Sequence, residues 1–541
     1  MSKDVLTKLR SARLKEIQDP EYLDSLLGIP QAVRAALESG GHIYHRKEAV
    51  RRVLGSICNG NKKLADEEWR GLLASGLVVD VTRYVLNADR GGKWYAWRHH
   101  LEGEIAFAKA AVDHAAAGGQ AIIYYGDPGT GKTHQVALEV LTAASINQNQ
   151  AIGSAMNHSA GNLDAKIGEL AQKQGIAMPK VKVGTVHKIY GAKVDPMKYV
   201  PKISMDIGQF VVDELGQLGS DTAGMAARRW HSDAKIVLSV GPGQLLPIGP
   251  GQIGEDLLMC LKETEDKMKG WQLKKLTENY RTKSTPGGPP PAIGIVQFFC
   301  SIAEGRVSQF EVMVTNNEQM PQGLVLFPIR PSSRGSGFGD SLEFAPAGGI
   351  MYETPGSEPR FISPLDRDGS EIIAVTFKQL KADMADRKIS VGIDLLEDGE
   401  EIWLKVASSA TRTARWKKGM RGTVVKTNED GKIVIKPVSL PSQAVTAKSI
   451  TVSRAQIRRY CAITAHSAQG LETDFGVVVA LRSRITNKRW LYTAVSRCKR
   501  MCVVIYEEGS LDYIVNNREI NTPRRTLFPT FFRMFRKERG V

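Results

Sequence analysis

Gly126-Asp127-Pro128-Gly129-Thr130-Gly131-Lys132-Thr133 stands between the apolar run Ala121-Ile122-Ile123-Tyr124-Tyr125 and the segment Gln135-Val136-Ala137-Leu138-Glu139-Val140-Leu141. The octapeptide fits G-x-x-x-x-G-K-[ST]. The run before it reads as a buried strand and the segment after it as a helix. A strand, a glycine-rich loop and a helix N-terminus aim backbone N–H groups and a positive dipole end at one point, which suits a triphosphate. Gly126 through Thr133 are therefore the candidate nucleotide cradle. Lys132 is expected along the β- and γ-phosphates, and the Thr133 hydroxyl on Mg²⁺.

Around this loop, from about 101 to 272, apolar runs alternate with helical stretches, which predicts a parallel sheet with helices on both faces. Gln209-Phe210-Val211-Val212-Asp213-Glu214 reads as a second strand ending in two acids. Asp213 is expected to complete the Mg²⁺ site and Glu214 to polarise the attacking water.

A second α/β block is expected over 273–399 and 446–510, on the buried-strand runs 371–375 and 476–480. Thr285 through Pro291 reads as a linker, and residues 329–360, rich in Gly, Ser and Pro, as a mobile loop. Between the two parts lies a β-rich insert, 400–445, whose Asn428-Glu429-Asp430-Gly431 turn joins two alternating runs. Arg412, Arg415, Lys417, Lys418 and Arg421 make this insert basic. Residues 1–100 read as an accessory domain with a helix at 66–73 and strands at 76–79 and 83–86. Helices followed by a small hairpin suit either a winged-helix module or a packing domain. The tail, 511–541, mixes phenylalanines with arginines. It reads equally as a binding segment for nucleic acid, a protein or an anionic membrane surface, or as a helix docked on the core.

With 541 residues the chain exceeds one core. A net charge of +16, from 73 basic against 57 acidic residues, points to a polyanionic partner. The six cysteines form no C-x-x-C pair, so neither a zinc site nor an iron–sulfur cluster is indicated, and reduced core cysteines of a cytoplasmic protein are expected. No run reaches membrane-spanning length.

Further motifs then fall in a fixed order. They are the segment Gly153 to Leu163, Gly184-Thr185-Val186-His187, Gly243-Gln244-Leu245-Leu246-Pro247, Leu276-Thr277-Glu278-Asn279-Tyr280-Arg281, Tyr460 to Glu472 and Leu491-Tyr492-Thr493-Ala494-Val495-Ser496-Arg497. In this order, over about 101–505, the chain resembles a superfamily 1 helicase of the 5′→3′ branch, which includes RecD-, TraA- and Dda-like proteins. The resemblance implies an α/β fold: two RecA-like parallel-sheet domains, a small β-barrel insert and a mostly helical N-terminal domain. It also implies ATP or another NTP with Mg²⁺ as cofactors, and single-stranded nucleic acid and duplex junctions as partners, DNA before RNA. The N-terminal domain or the tail would offer a site for a protein partner.

By the same resemblance Arg281 and Arg497 would act as arginine fingers from the second domain, and Gln244 would sense the γ-phosphate. Gly470 and Glu472 would border the nucleotide cleft, and His158, Thr185, His187, Thr464 and His466 would touch the strand. Residues 192–208 fall where this branch inserts a duplex-splitting pin. Three positions depart from the pattern. Val240-Gly241 stands where the family has Gly-Asp, Ser467 replaces a lysine, and no adenine-reading glutamine follows Leu101-Glu102-Gly103-Glu104. Two alternatives stay open: an RNA helicase of a viral replication system, and a nucleic-acid-binding NTPase switch that does not unwind.

Overall fold

The computed structural model describes residues 29–85, 92–190, 206–280 and 399–541, with short internal gaps, and the two strands Leu324–Ile329 and Arg360–Ser363. Nearly all of the pin candidate 192–208, the linker 285–291, the loop 330–359, the expected strand 371–375, Arg281, Arg412, Lys417, Lys418 and Gly470 lie outside the described residues.

The N-terminal unit runs α1 (Ile29–Glu38), β1 (Tyr44–Arg46), α2 (Lys47–Ile57), α3 (Lys62–Ala74), β2 (Val78–Asp80) and β3 (Trp94–Trp97). Its antiparallel sheet has the order β1-β3-β2. The expected strand at 83–86 is instead a 3-10 turn at Thr82–Tyr84. Asp80 Oδ1 causes this by accepting from the Thr82 N–H at 2.9 Å and the Thr82 hydroxyl at 2.6 Å, which turns the chain before it can extend. The central strand is the fully buried Trp94-Tyr95-Ala96-Trp97, which pairs with both neighbours.

α4 (Arg98–Ala116) leads into the first large sheet. Its six strands are all parallel, in the order β6-β5-β7-β8-β4-β9: β4 (Ala121–Gly126), β5 (Gln150–Ser154), β6 (Val183–Thr185), β7 (Gln209–Asp213), β8 (Lys235–Val240) and β9 (Trp271–Leu276). Helices α5 (Lys132–Ser145) and α6 (Asn157–Lys173) pack on one face through Val136, Val140, Leu163 and Ile167. On the other face α4 and α8 (Ser220–Ala227), with the short α7 (Val186–Ile189) near the β5–β6 edge and α9 (Ile253–Thr264) against the Leu215–Gln217 turn, bury Phe107, Ala111, Ala223 and Leu257. Two glycines permit the α4–α8 crossing. A Cβ on Gly103 would lie 2.3 Å from the Ser220 carbonyl oxygen, and one on Gly224 2.2 Å from that of Gly103.

The second large sheet is also parallel, in the order β10-β21-β20-β11-β19. Its strands are β10 (Leu324–Ile329), β11 (Arg360–Ser363), β19 (Ala462–Thr464), β20 (Thr473–Ala480) and β21 (Cys498–Glu507). α10 (Ala465–Ala468), α11 (Lys488–Val495) and α12 (Ser510–Asn516) pack on it. Both sheets have the RecA-like arrangement of parallel strands joined by helices. Between β11 and β19 in sequence, a separate antiparallel sheet joins β12 (Glu401–Leu404), β15 (Arg421–Thr427), β16 (Ile433–Pro437), β17 (Ile450–Val452) and β18 (Ile457–Arg459) around Ile402, Leu404, Val424, Ile435 and Ile457. A two-stranded ribbon, β13 (Ser408–Ser409) with β14 (Arg415–Trp416), falls between β12 and β15 in sequence.

The tail forms α13 (Phe528–Arg539), docked on the first large sheet's domain rather than free. Phe528, Phe531 and Phe532 are buried there, and Arg524 donates to the carbonyls of Pro247, Gly249 and Gly251 at 2.7–2.8 Å. Glu104 anchors the start of this segment by accepting from the Leu527 N–H at 2.7 Å. Burial and nearby Asp256 push the Glu104 carboxyl well above the usual range. The acid that follows Leu-x-x in α4 thus holds the C-terminal helix. Among the described residues no helix is long and apolar enough to cross a membrane.

Candidate nucleotide site

β4 ends in the phosphate loop, and Gly129 and Gly131 take positive φ, +84° and +83°, which turn the chain tightly into α5. Lys132 is 7% exposed. Its ammonium donates to the carbonyls of Gly126 at 2.7 Å and Asp127 at 2.9 Å, which keeps it inside the loop. The Thr133 hydroxyl lies 3.4 Å from Asp213 Oδ2 and donates to it. β4 and β7 are separated by β8, so the acids stand one strand away from the loop, across a strand end.

That intervening strand supplies a group absent from the sequence reading. Ser239 on β8 donates to Asp213 Oδ1 at 2.5 Å and accepts from the Glu214 N–H at 2.9 Å. One buried hydroxyl therefore fixes both acids. A lone serine inside an apolar strand carries no motif, so only the strand order exposes it. Glu214 adopts φ +58°, ψ +45°, a left-handed conformation rare for a residue with a Cβ. This turn swings its side chain out of the strand, and Gln217 Nε2 donates to its Oε2 at 3.2 Å. Burial, then the charge of Glu214, push the Asp213 carboxyl up to about 7, while Ser239, Lys132 and Thr133 pull it down. Thr133 and Asp213 form a hard oxygen pair of the kind Mg²⁺ takes, so the residues present fit that ion.

The loop after β8 joins the two parallel-sheet domains. Leu245 is buried in the second domain's core with Trp490, Leu491 and Val495. Its N–H donates to Thr493 Oγ1 at 2.8 Å, and its carbonyl accepts from Gln469 Nε2 at 3.4 Å. Arg489 grips Glu255 with both guanidinium nitrogens and donates to the Gln244 carbonyl at 3.3 Å. Gln244 itself is 7% exposed. A Cβ on Gly241 would lie 2.8–2.9 Å from the Gln244 side-chain amide, so the glycine leaves room for that amide.

α11 faces the phosphate loop. Tyr492 OH donates to Asp127 Oδ1 at 3.0 Å. Arg497 is 4% exposed and donates to the Thr493 carbonyl at 3.0 Å and Ser496 Oγ at 2.9 Å. Its charge and that of Glu214 both act on the buried His158. The stretch ahead of Arg281 reaches the same loop: Tyr280 N–H donates to the Gly129 carbonyl at 2.9 Å, and Asn279 Nδ2 to that of Pro128 at 3.0 Å. These bonds bring the Tyr280 ring beside Gly131, and its hydroxyl donates to Glu278 Oε2 at 2.5 Å. Arg281 itself lies outside the described residues.

The expected strand-contact residues divide. His187 is exposed, with Nε2 3.3 Å from Thr222 Oγ1. Thr185 caps α7, its hydroxyl accepting from the Lys188 N–H at 3.4 Å. His158 pairs with the Gln469 carbonyl, a contact between the two domains, and burial lowers its pKa. Thr464 ends β19 and His466 lies in α10. Glu472 is exposed and pairs with Lys499 at 3.0 Å.

The profile of the AAA domain family matches residues 108–287. No curated protein matches the chain in sequence. Among solved structures, a Bacteroides Pif1 bound to ssDNA aligns at 14% identity and a TM-score of 0.43, covering 77% of this chain and 94% of that one. Pif1 helicase from Candida albicans aligns at 12% identity and 0.41, covering 77% and 96%. An arterivirus nonstructural protein 10 helicase aligns at 12% identity and 0.33, covering 81% and 73%. The AAA domain match spans the chain's phosphate loop and acid strand.

Proposed function

We propose that this protein is an NTP-driven, Mg²⁺-dependent translocase that unwinds nucleic acid, DNA in preference to RNA, with 5′→3′ polarity. The observation that carries the reading is one cleft. Lys132, Thr133, Asp213 and Glu214 stand on one parallel-sheet domain, and Tyr492 of the other bonds the phosphate loop at Asp127. DNA preference and polarity rest on the order of the sequence motifs.

In this reading Lys132 exchanges its loop carbonyls for the β- and γ-phosphates. Thr133 and Asp213 hold Mg²⁺, which supplies charge neutralisation on the phosphates. Asp213, with its pKa near 7, gives up its proton to do so. Glu214, swung out by its left-handed backbone, orients the attacking water. Arg497 reaches the γ-phosphate after closure, once it leaves the Thr493 carbonyl. The Leu245 plug transmits that closure between domains, because it is anchored in one core and tethered to the strand end of the other.

The test measures NTP hydrolysis with single-stranded DNA, single-stranded RNA or neither, and strand displacement on duplexes with a 5′ or a 3′ tail. Stimulation by DNA and displacement only from the 5′ tail are expected. Stimulation by RNA alone would move the substrate to RNA. Brisk hydrolysis with displacement on neither tail would favour a switch.

A further inference from the structure

We propose that Glu38, His99 and His100 form a site for a divalent transition-metal ion, zinc in the first instance, that clamps the N-terminal unit onto the first parallel-sheet domain. Glu38 closes α1, and His99 and His100 open α4, so the cluster bridges the two units. One ligand atom from each of the three residues lies within 4.8 Å of the others. The two imidazole rings are tilted by 45° with centroids 3.7 Å apart, and His100 Nε2 lies 2.5 Å from Glu38 Oε1.

A second observation points to a ligand. His99 Nε2 and His100 Nδ1 are buried and have no hydrogen-bond partner among the described residues, whereas buried ring nitrogens are normally satisfied. A small cavity lined by Glu38, His42, His45 and His100 opens beside them. Two imidazoles and one carboxylate are the donor set of a three-ligand zinc site, with the fourth position left to water. Nitrogen donors disfavour Mg²⁺ and Ca²⁺, which separates this site from the Thr133–Asp213 pair. Arg34 also bonds the Glu38 carboxylate. In the proposed site this guanidinium orients the carboxylate from behind the ion, as partners of metal-bound carboxylates commonly do.

The rival is an ion-free network in which Glu38 is shared by Arg34 and His100. The full-length protein, stripped with a chelator and dialysed against Zn²⁺, distinguishes them. Elemental analysis is expected to find one zinc per chain retained, and Co²⁺ in its place to give the intense visible absorption of tetrahedral coordination. Glu38→Gln, close to isosteric, and the pair His99→Ala with His100→Ala are each expected to weaken zinc affinity by about tenfold or more. Circular dichroism and NTP hydrolysis by Glu38→Gln report that the fold is intact. Wild type that retains no zinc overturns the site, as does zinc bound equally by wild type and both variants, or Co²⁺ bound without the tetrahedral spectrum.

Discussion

The two parallel-sheet domains share a fold and differ in how their polar groups are held. In the first, Lys132, Asp213, Ser239 and Glu214 hydrogen-bond one another or their own loop, over a sheet buried on both faces. In the second, α11 directs Arg489, Tyr492 and Thr493 toward the first domain, through one two-pronged ion pair and two single hydrogen bonds. The first site is thus built in place, while the second domain lends groups through bonds that a small hinge motion can exchange. Preorganisation suits phosphate binding, and exchangeable contacts suit a step that opens and closes.

The sharpest way to test this division is Lys132→Ala, which is expected to abolish hydrolysis, measured as phosphate release. Arg497→Ala comes next. Turnover is expected to fall by about 10³-fold while nucleotide affinity changes little. Lost affinity with a normal rate per bound complex would return Arg497 to a purely structural part. Phe532→Ala removes a fully buried ring that fastens α13 to the first domain and is expected to cost about 3–5 kcal/mol there. In denaturant the first domain should then unfold ahead of the second, and unchanged order would contradict separate cores.

Asp213→Asn tests the electrostatics. The folded Asp213 carboxyl, near 7, lies above its ordinary value, so the folded chain binds the extra proton between about pH 4 and 7. Stability from this group therefore falls as pH rises through that window. The asparagine variant should melt higher than wild type at pH 8, with the gap closing toward pH 4, in paired thermal scans. The smallest effect belongs to Tyr492→Phe, which removes the bond to Asp127. At about 1 kcal/mol for a neutral donor, the interdomain contact should loosen and nucleotide association rates shift by no more than about tenfold. A loss as large as that of Arg497→Ala would mean the tyrosine does more than bridge.

Local residue order made the first domain readable. The octapeptide needed only its flanking strand and helix to be placed, and Asp213–Glu214 needed only the apolar run before them. The bend at Thr82 was not readable as a strand break, because its cause is a single Asp80 side chain competing for backbone donors. The tail was ambiguous for another reason: Phe528, Phe531 and Phe532 have an apolar stripe that fits any apolar surface, and only the folded chain presents the one on α4 and α9.

The sequence by itself determined the phosphate loop, the acid pair and the alternation that makes parallel sheets, since each is set by neighbours within a few turns of chain. Tertiary structure decided what depends on strand order and on contacts between distant segments. Ser239 became a bridge only because β8 lies between β4 and β7. Glu104 became an anchor for the C-terminal helix, and Leu245 a plug in the other domain's core. Such roles come from burial and hydrogen-bond satisfaction, which residue spacing does not encode.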